Sequence, residues 1–406
     1  MNSTAKSCLQ AQAVDVLIVG GGIVGAAMAL ALKPLGLRVL LVDARPPLLN
    51  TQDPDARCLT LSYASIQILT HLGLWSVLRE YTTPIEQIHV SERGAFGRAV
   101  LRGEPNRALG AVVPIARFQR ALIEAIAPEN YLHSTQVSAF DPATNTARMT
   151  TPAGDTEVSA GIVIAADGAD SDLRAYCHLN AVYKDYGQHA LVANVSLARA
   201  HQLCAYERFT ATGLIALLPQ SGLRAGLVWI ATPEETARAL ASSDADFLNR
   251  LQHAFGYRLG RLIAVGRREV YPLRQIIMPQ QVVDGVVFIG NAAHTIHPVA
   301  GQGFNLGLRD VAILAQCIAK HGASVHALSL YQDLRQRDQR AIIDLTDGLS
   351  RLYKSQRLAV RLARQLGLVL FDNSPAVKRV LARYASGLGG VVPDLVCGIP
   401  FAQIDF

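Results

Sequence analysis

The apolar positions of this chain first gather into a short block, Val14–Val19, which is followed by three glycines and an Ala/Leu-rich stretch over Ile23–Leu35. A second apolar block, Arg38–Val42, closes on Asp43. Short unbroken apolar runs between turn signals read as buried strands, and the longer stretch between them reads as a helix. The pattern is a βαβ unit, which requires a parallel sheet and a right-handed crossover. Leu59–Leu72 and Ile115–Ile126 carry a helical pattern, and Gly161–Ala165 is a further buried strand that runs into Asp167. The 17 uncharged residues Val16–Leu32 approach the length of a membrane span, but they hold four glycines between Asp15 and Lys33. They read as strand, glycine turn and helix.

The pattern then changes. Leu191–Ala198, Tyr206–Thr210, Leu214–Leu218 and Arg224–Ile230 are short and rich in β-formers, with a hairpin turn at Gln220–Gly222. A mostly antiparallel sheet is expected there. Val286–Ile289 returns to the buried-strand pattern before a glycine-rich segment, Gly290–Gly307. From Gly303 onward the chain reads as helix almost to its end, restarting at Ser374-Pro375 with a capping serine and a first-turn proline.

Composition sets bounds. With 406 residues, half of them hydrophobic and 17% charged, there is ample core for one large domain or two joined modules and little room for disorder. The six cysteines stand singly, at 8, 58, 177, 204, 317 and 397, so neither a zinc site nor a redox dithiol is indicated and no metal is expected. Isolated thiols fit a reducing cytoplasm. The first dozen residues lack the order of a signal peptide and are expected to form a loose tail.

Three motifs carry chemistry. Gly20-Gly-Gly22-Ile-Val-Gly25 lies between strand and helix, with Asp43 ending the next strand. Such glycines permit a tight turn, backbone approach to a pyrophosphate and close helix packing, while the helix start favours phosphate and the acid accepts ribose hydroxyls. The second motif is Asp167-Gly168-Ala-Asp-Ser171-Asp-Leu-Arg174 at a strand end. By itself it reads equally as a turn with a serine-capped helix. The third runs from Gly290-Asn291-Ala-Ala-His294 through His297-Pro298 to Gly301-Gln302-Gly303-Phe-Asn305 and Asp310. Backbone amides at the helix start there would stabilise negative charge, as on a reduced flavin ring.

Together the motifs resemble the class A flavoprotein aromatic hydroxylases, and within them the ubiquinone-biosynthesis branch of 2-polyprenyl-6-methoxyphenol hydroxylases. The likeness runs from Val16 to about Gly387 and includes Asp55-Ala-Arg57, Val113–Phe118 and Glu207–Thr210. Gly290-Asn291 departs from the Gly-Asp of most class A members. Asn keeps a hydrogen-bonding carbonyl but loses the charge.

The resemblance implies an α/β fold: a Rossmann-like FAD-binding domain with a parallel sheet (14–75, 105–180 and 276–330), interleaved with an antiparallel substrate sheet (76–104 and 181–275) and followed by C-terminal helices (331–406). It implies FAD as cofactor, with Gly20, Gly22, Gly25 and Asp43 on the ADP half and Arg57 and Arg117 on the pyrophosphate and neighbouring ribose. Asp167 and Gly168 would lie near the pyrophosphate, Asn291 at the ribitol, and Pro298, Gly301, Gln302, Gly303 and Asn305 beside the ring system. The implied activity is ring hydroxylation of a polyprenyl phenol through a flavin C4a-hydroperoxide, with O2 as oxidant and NAD(P)H docking transiently as reductant. A sister hydroxylase of other regiochemistry and a non-catalytic flavin-binding scaffold stand as alternatives. His297 offers a proton acceptor near neutral pH, or it anchors its loop through a backbone carbonyl; both readings stay open. Tyr206 and Phe209 are candidates for lining the substrate cavity or for core packing.

Charge adds one more expectation. The net charge is +6, yet residues 351–383 alone hold eight Lys/Arg against Asp372. Arg357, Arg361 and Arg364 share one helix face, and Leu358, Leu362, Leu366 and Val369 the adjoining one. Such a helix could lie on the cytoplasmic face of a membrane, meet a biosynthetic assembly, or pack its leucines on the protein's own core. No aromatic interleaving accompanies the charge, so nucleic acid is not indicated.

Overall fold

The computed structural model describes residues 12–47, 57–354, 357–389, 392–397 and 399. Residues 1–11, and Asp55 and Ala56 of the Asp-Ala-Arg segment, lie outside them.

The glycine-flanked first strand, Gln12–Val19, is central in an eight-stranded sheet. It pairs in parallel with Gly154–Ala165 on one side (Leu17 opposite Val163) and with Val39–Val42 on the other (Leu17 opposite Leu40). Val286–Phe288 and Tyr131–Leu132 extend the parallel array. Parallel strands are buried on both faces, which is why these segments are continuously apolar; Val16, Leu17, Ile18, Ile162, Val163 and Ile164 are all fully buried. Helix Ile23–Leu32 and the long helix Gln302–His321 cover one face.

A second sheet has nine strands, with Val182–Leu197 paired antiparallel to Arg224–Ala231 and Glu269–Ile277. Every pairing in it is antiparallel except that of Cys204–Phe209 with Gln87–Glu92. The Gln220–Gly222 turn joins Leu214–Gln220 to Arg224–Ala231, as its sequence indicates.

Three expectations need correction. Cys58–Ser62 is a strand, not the first turn of a helix, because it pairs with Gly110–Pro114 in a small third sheet. The helix starts only at Tyr63, where the Ser62 hydroxyl accepts from Ser65 N–H. The Ile23–Leu35 helix ends at Leu32 and tightens into a 3₁₀ turn containing Pro34. Ser374 holds the capping position of the last helix, Pro375–Ala385, yet its side chain makes no capping bond. The remaining C-terminal helices are Val325–Lys354 and Leu358–Asn373.

Candidate functional site

The C-terminal ends of the parallel strands open onto a cleft of about 630 Å³. Val19–Gly20 and Gly22 form its floor, Asp43–Arg45 and Thr135–Val137 one end, and Ala166–Gly168 a side wall. The far end is built by Gly290–Asn291, Thr295–Ile296 and Gly303–Phe304.

Backbone geometry dictates the floor. Gly20 has φ +108°, and a Cβ on it would lie 2.3 Å from the Ala166 carbonyl oxygen. A Cβ on Gly25 would lie 1.9 Å from the carbonyl of Gly20, so only glycine lets the helix approach its strand this closely. At Gly22 nothing lies within 4 Å of a Cβ position, and the backbone faces open cleft.

At one end, the Asp43 carboxylate accepts from Arg45 N–H at 2.8 Å. Tyr131 sits beside it, and burial first, then the Asp43 charge, pushes the phenol up to about 12. Asp167 accepts from the Ser171 hydroxyl at 2.8 Å and from Leu173 N–H at 3.2 Å through Oδ2. Burial raises its pKa, and those bonds offset only part of the rise. The second motif is bolted to the third by Arg174, whose buried guanidinium donates to the Ala292 carbonyl at 3.0 Å and the Ala169 carbonyl at 2.7 Å.

Behind the third motif lies a buried ionic network. Asp310 is fully buried and accepts from Gly290 N–H at 3.1 Å, bonds His294 Nε2 at 2.6 Å, and accepts from Arg335 Nε at 2.9 Å and Gln339 at 3.0 Å. Burial alone would raise its pKa, but His294 and Arg335 more than offset that and hold the carboxyl well below the usual range. Asp338 joins Arg335 to Arg309. His294 thus has a structural position: it fixes the loop that carries Asn291.

Residues 13–346 match the family model described as FAD binding domain. The chain belongs to that family. It is 33% identical to ubiquinone hydroxylase UbiL of Rhodospirillum rubrum, covering 95% of this chain and 93% of that protein. It is 30% identical to the 3-demethoxyubiquinol 3-hydroxylase of Escherichia coli, covering 93% and 99%. The fold also matches the crystal structure of p-nitrophenol 4-monooxygenase PnpA from Pseudomonas putida, with TM-score 0.76, 20% identity and coverage of 93% and 99%.

The cleft fits the cofactor that this FAD-binding family is named for. Two buried acceptors on its wall, Asp167 Oδ1 and Gln119 Oε1, have no hydrogen-bond partner among the described residues. A ligand rich in hydroxyl donors would satisfy both. Gly22 leaves room for a phosphate against the helix start, and the Asp43 carboxylate lines one end of the cleft.

Of the residues singled out in the sequence, Gly20, Gly22, Asp43, Asp167, Gly168, Asn291 and Gly303 line this one cleft. Gly25 supports it from beneath. Arg57 lies over the Tyr271 ring at 5.6 Å, and Arg117 over Tyr81 at 4.7 Å; neither lines the cleft. Ile115 and Gln119, one turn apart, do face it, and Arg117 lies about 200° round the helix from Ile115. That spacing was the signal available for Gln119. Thr135 and Gln136 had no local signal, because a distant strand brings them in.

Pro298, Gly301, Gln302 and Asn305 are not among the residues that line the cleft. Asn305 is a staple: its Oδ1 accepts from Ser62 N–H at 2.9 Å and Ser65 Oγ at 2.7 Å, and its Nδ2 donates to the Thr60 and Gly301 carbonyls.

His297 is buried against the second sheet, edge-on to Tyr186, and its Nδ1 accepts from Val299 N–H at 3.3 Å. It borders a small cavity of about 20 Å³ together with Phe209, Gln188, Ser350 and Tyr353. Phe209 stacks on Tyr353 of the long C-terminal helix. Tyr206 lies elsewhere, packed on His89 and Phe255.

Proposed function

We propose that the chain is an FAD-dependent monooxygenase that hydroxylates the ring of a polyprenylated methoxyphenol in ubiquinone biosynthesis, with O2 as co-substrate and NAD(P)H as a transiently docked reductant. The observation that carries this reading is the continuity of the site. One cleft runs from the Gly20 turn to the start of the Gln302–His321 helix, and the segment that ends it, Asn291–Val299, passes directly into the cavity on the second sheet. Whole-length similarity to hydroxylases named for ubiquinone and its precursors supports the substrate class.

FAD, when bound, supplies electron acceptance from the nicotinamide and activation of O2. The protein's own residues do the rest. Asp43 binds the ribose, Asp167 and Gln119 accept from hydroxyls of the bound group, and the amides of Gly303 and Phe304 at a helix start favour negative charge beside them. His297, whose Nδ1 accepts from Val299 N–H, borders the small cavity on the second sheet, which is the position proposed for the phenol ring. A cavity of about 20 Å³ admits a water but no ring, so Tyr353 must shift for the substrate to enter. A polyprenyl phenol partitions into lipid, and the protein meets it as a peripheral enzyme on the cytoplasmic face of the membrane.

The test is the absorption spectrum of the purified chain, before and after NAD(P)H, with and without a short-chain prenyl methoxyphenol. Oxidised-flavin bands that bleach faster with the phenol, followed by a hydroxylated product, are expected. No flavin after reconstitution with FAD would overturn the reading. Flavin without phenol-stimulated oxidation would favour the scaffold alternative. Product analysis separates this regiochemistry from that of a sister enzyme.

A further inference from the structure

The last two helices are amphipathic in the reverse sense. Helix Leu358–Asn373 turns polar side chains toward the protein: Arg364 donates to Glu92 Oε2 through Nε at 2.8 Å, Gln365 also bonds Glu92, and its Oε1 accepts from Gly97 N–H at 2.8 Å. Asp372 accepts from Val100 N–H at 3.2 Å and pairs with Lys378 at 2.6 Å. Leucines occupy the outward face instead. Leu362, Leu366 and Leu370, spaced i, i+4, i+8, are 51%, 57% and 70% exposed.

Helix Pro375–Ala385, none of whose residues is buried, also exposes apolar side chains, Val377, Val380 and Tyr384. The adjoining hairpin tip adds Phe96, 70% exposed, next to the Gly97 that contacts Gln365. Single exposed apolar residues are ordinary; two successive helices presenting them in rows are not.

Cations accompany the rows. Arg361, Arg379 and Arg383 are exposed, and each precedes an exposed apolar residue, Leu362, Val380 and Tyr384. One position is about 100° round a helix, so Arg361 flanks the leucines of the first helix, and Arg379 and Arg383 flank the apolar row of the second. A second copy of the chain is a poor occupant. A two-fold interface sets a patch against itself, which would oppose arginine to arginine, and Asp372, the one acid of residues 351–383, is already bonded. Among the described residues no helix is long and apolar enough to cross a membrane.

We infer that the outer face of these two helices, with Phe96, docks on an anionic bilayer, seating its leucines in the interface and its arginines on lipid phosphates. This deepens the reading above, on which it rests, by naming the surface that reaches a lipid-dissolved substrate.

The test is co-sedimentation of the full FAD-loaded chain with vesicles of phosphatidylcholine alone or with added phosphatidylglycerol. Binding to the anionic vesicles is expected, weakening with salt. Arg361→Ala and Arg379→Ala should each lower affinity about fivefold, and Leu366→Ser with Leu370→Ser about tenfold or more. Arg250→Ala, an exposed arginine elsewhere, should change nothing. Unchanged flavin absorbance and circular dichroism show that the variants fold.

Absence of vesicle binding, or equal binding by all variants, overturns the inference. So does an oligomer of the free protein that Leu366→Ser with Leu370→Ser converts to monomer. The function is scored separately. Turnover of a water-soluble phenol without vesicle binding sinks only the surface, and vesicle binding without phenol-stimulated oxidation sinks only the hydroxylase reading.

Discussion

Two cavities among the described residues differ more than thirtyfold in volume, about 630 Å³ against about 20 Å³. The larger lies at strand ends and glycine turns, with Gly20, Gly22, Gly168, Gly290, Gly303 and Gly307 in its lining; the smaller is bordered by side chains from different elements, Tyr353 among them. Backbone held in a parallel sheet keeps its shape whether or not a ligand is present. Side chains fill whatever space is left. On the function proposed, the larger cleft would take the cofactor as it stands, and the smaller would have to open to admit a ring.

The largest effect expected comes from the network behind the cleft. Asp310→Ala leaves Arg335 buried with one acidic partner fewer, and should cost about 3–5 kcal/mol in urea denaturation. Because the native carboxyl titrates below its ordinary value, its contribution is fully present above about pH 4 and is lost as pH falls through the lowered native pKa. Unfolding midpoints measured down that range should fall for the wild type and flatten for Asp310→Asn. If they do not, the network is not what holds the cleft.

Tyr353→Ala acts on the other cavity. Emptying a buried aromatic position should cost about 3 kcal/mol while raising kcat/KM for bulky phenols and leaving FAD affinity unchanged. An unchanged substrate range would break the claim that this side chain closes the ring site.

Two glycines sharpen the contrast within the cleft. Gly25→Ala pushes a Cβ to 1.9 Å from the Gly20 carbonyl and should cost about 1–3 kcal/mol together with flavin retention. Gly22→Ala meets nothing within 4 Å, so Tm should hold while FAD binding weakens. Equal Tm values for the two variants would contradict the geometry. The smallest effect is that of Gln119→Leu. It removes an unpartnered acceptor, so FAD affinity should fall about fivefold while the stability of the apoprotein stays level.

Much of the cleft was legible in the sequence because its chemistry is local. A glycine that must adopt φ +108° and an acid that closes a strand are each signalled by the few residues that flank them. The Gln12–Val19, Val39–Val42 and Val286–Phe288 strands were legible for the same reason, since apolar runs buried on both faces leave an uninterrupted pattern.

Tertiary structure decided the rest. Cys58–Ser62 carries a helical pattern but is a strand, because Gly110–Pro114 offers it a ladder. Asn305, which the resemblance places beside the flavin, bonds Thr60, Ser62, Ser65 and Gly301 through both ends of its amide, partners that local spacing does not reveal. The C-terminal leucines are the clearest case. The sequence shows an apolar row beside a basic one; Glu92 and the hairpin amides, which bind Arg364, Gln365 and Asp372, turn the leucines outward and split the basic row, with Arg364 buried and Arg361 exposed. Periodicity determines which residues share a helix face, while the partners on the opposing surface decide which face is buried.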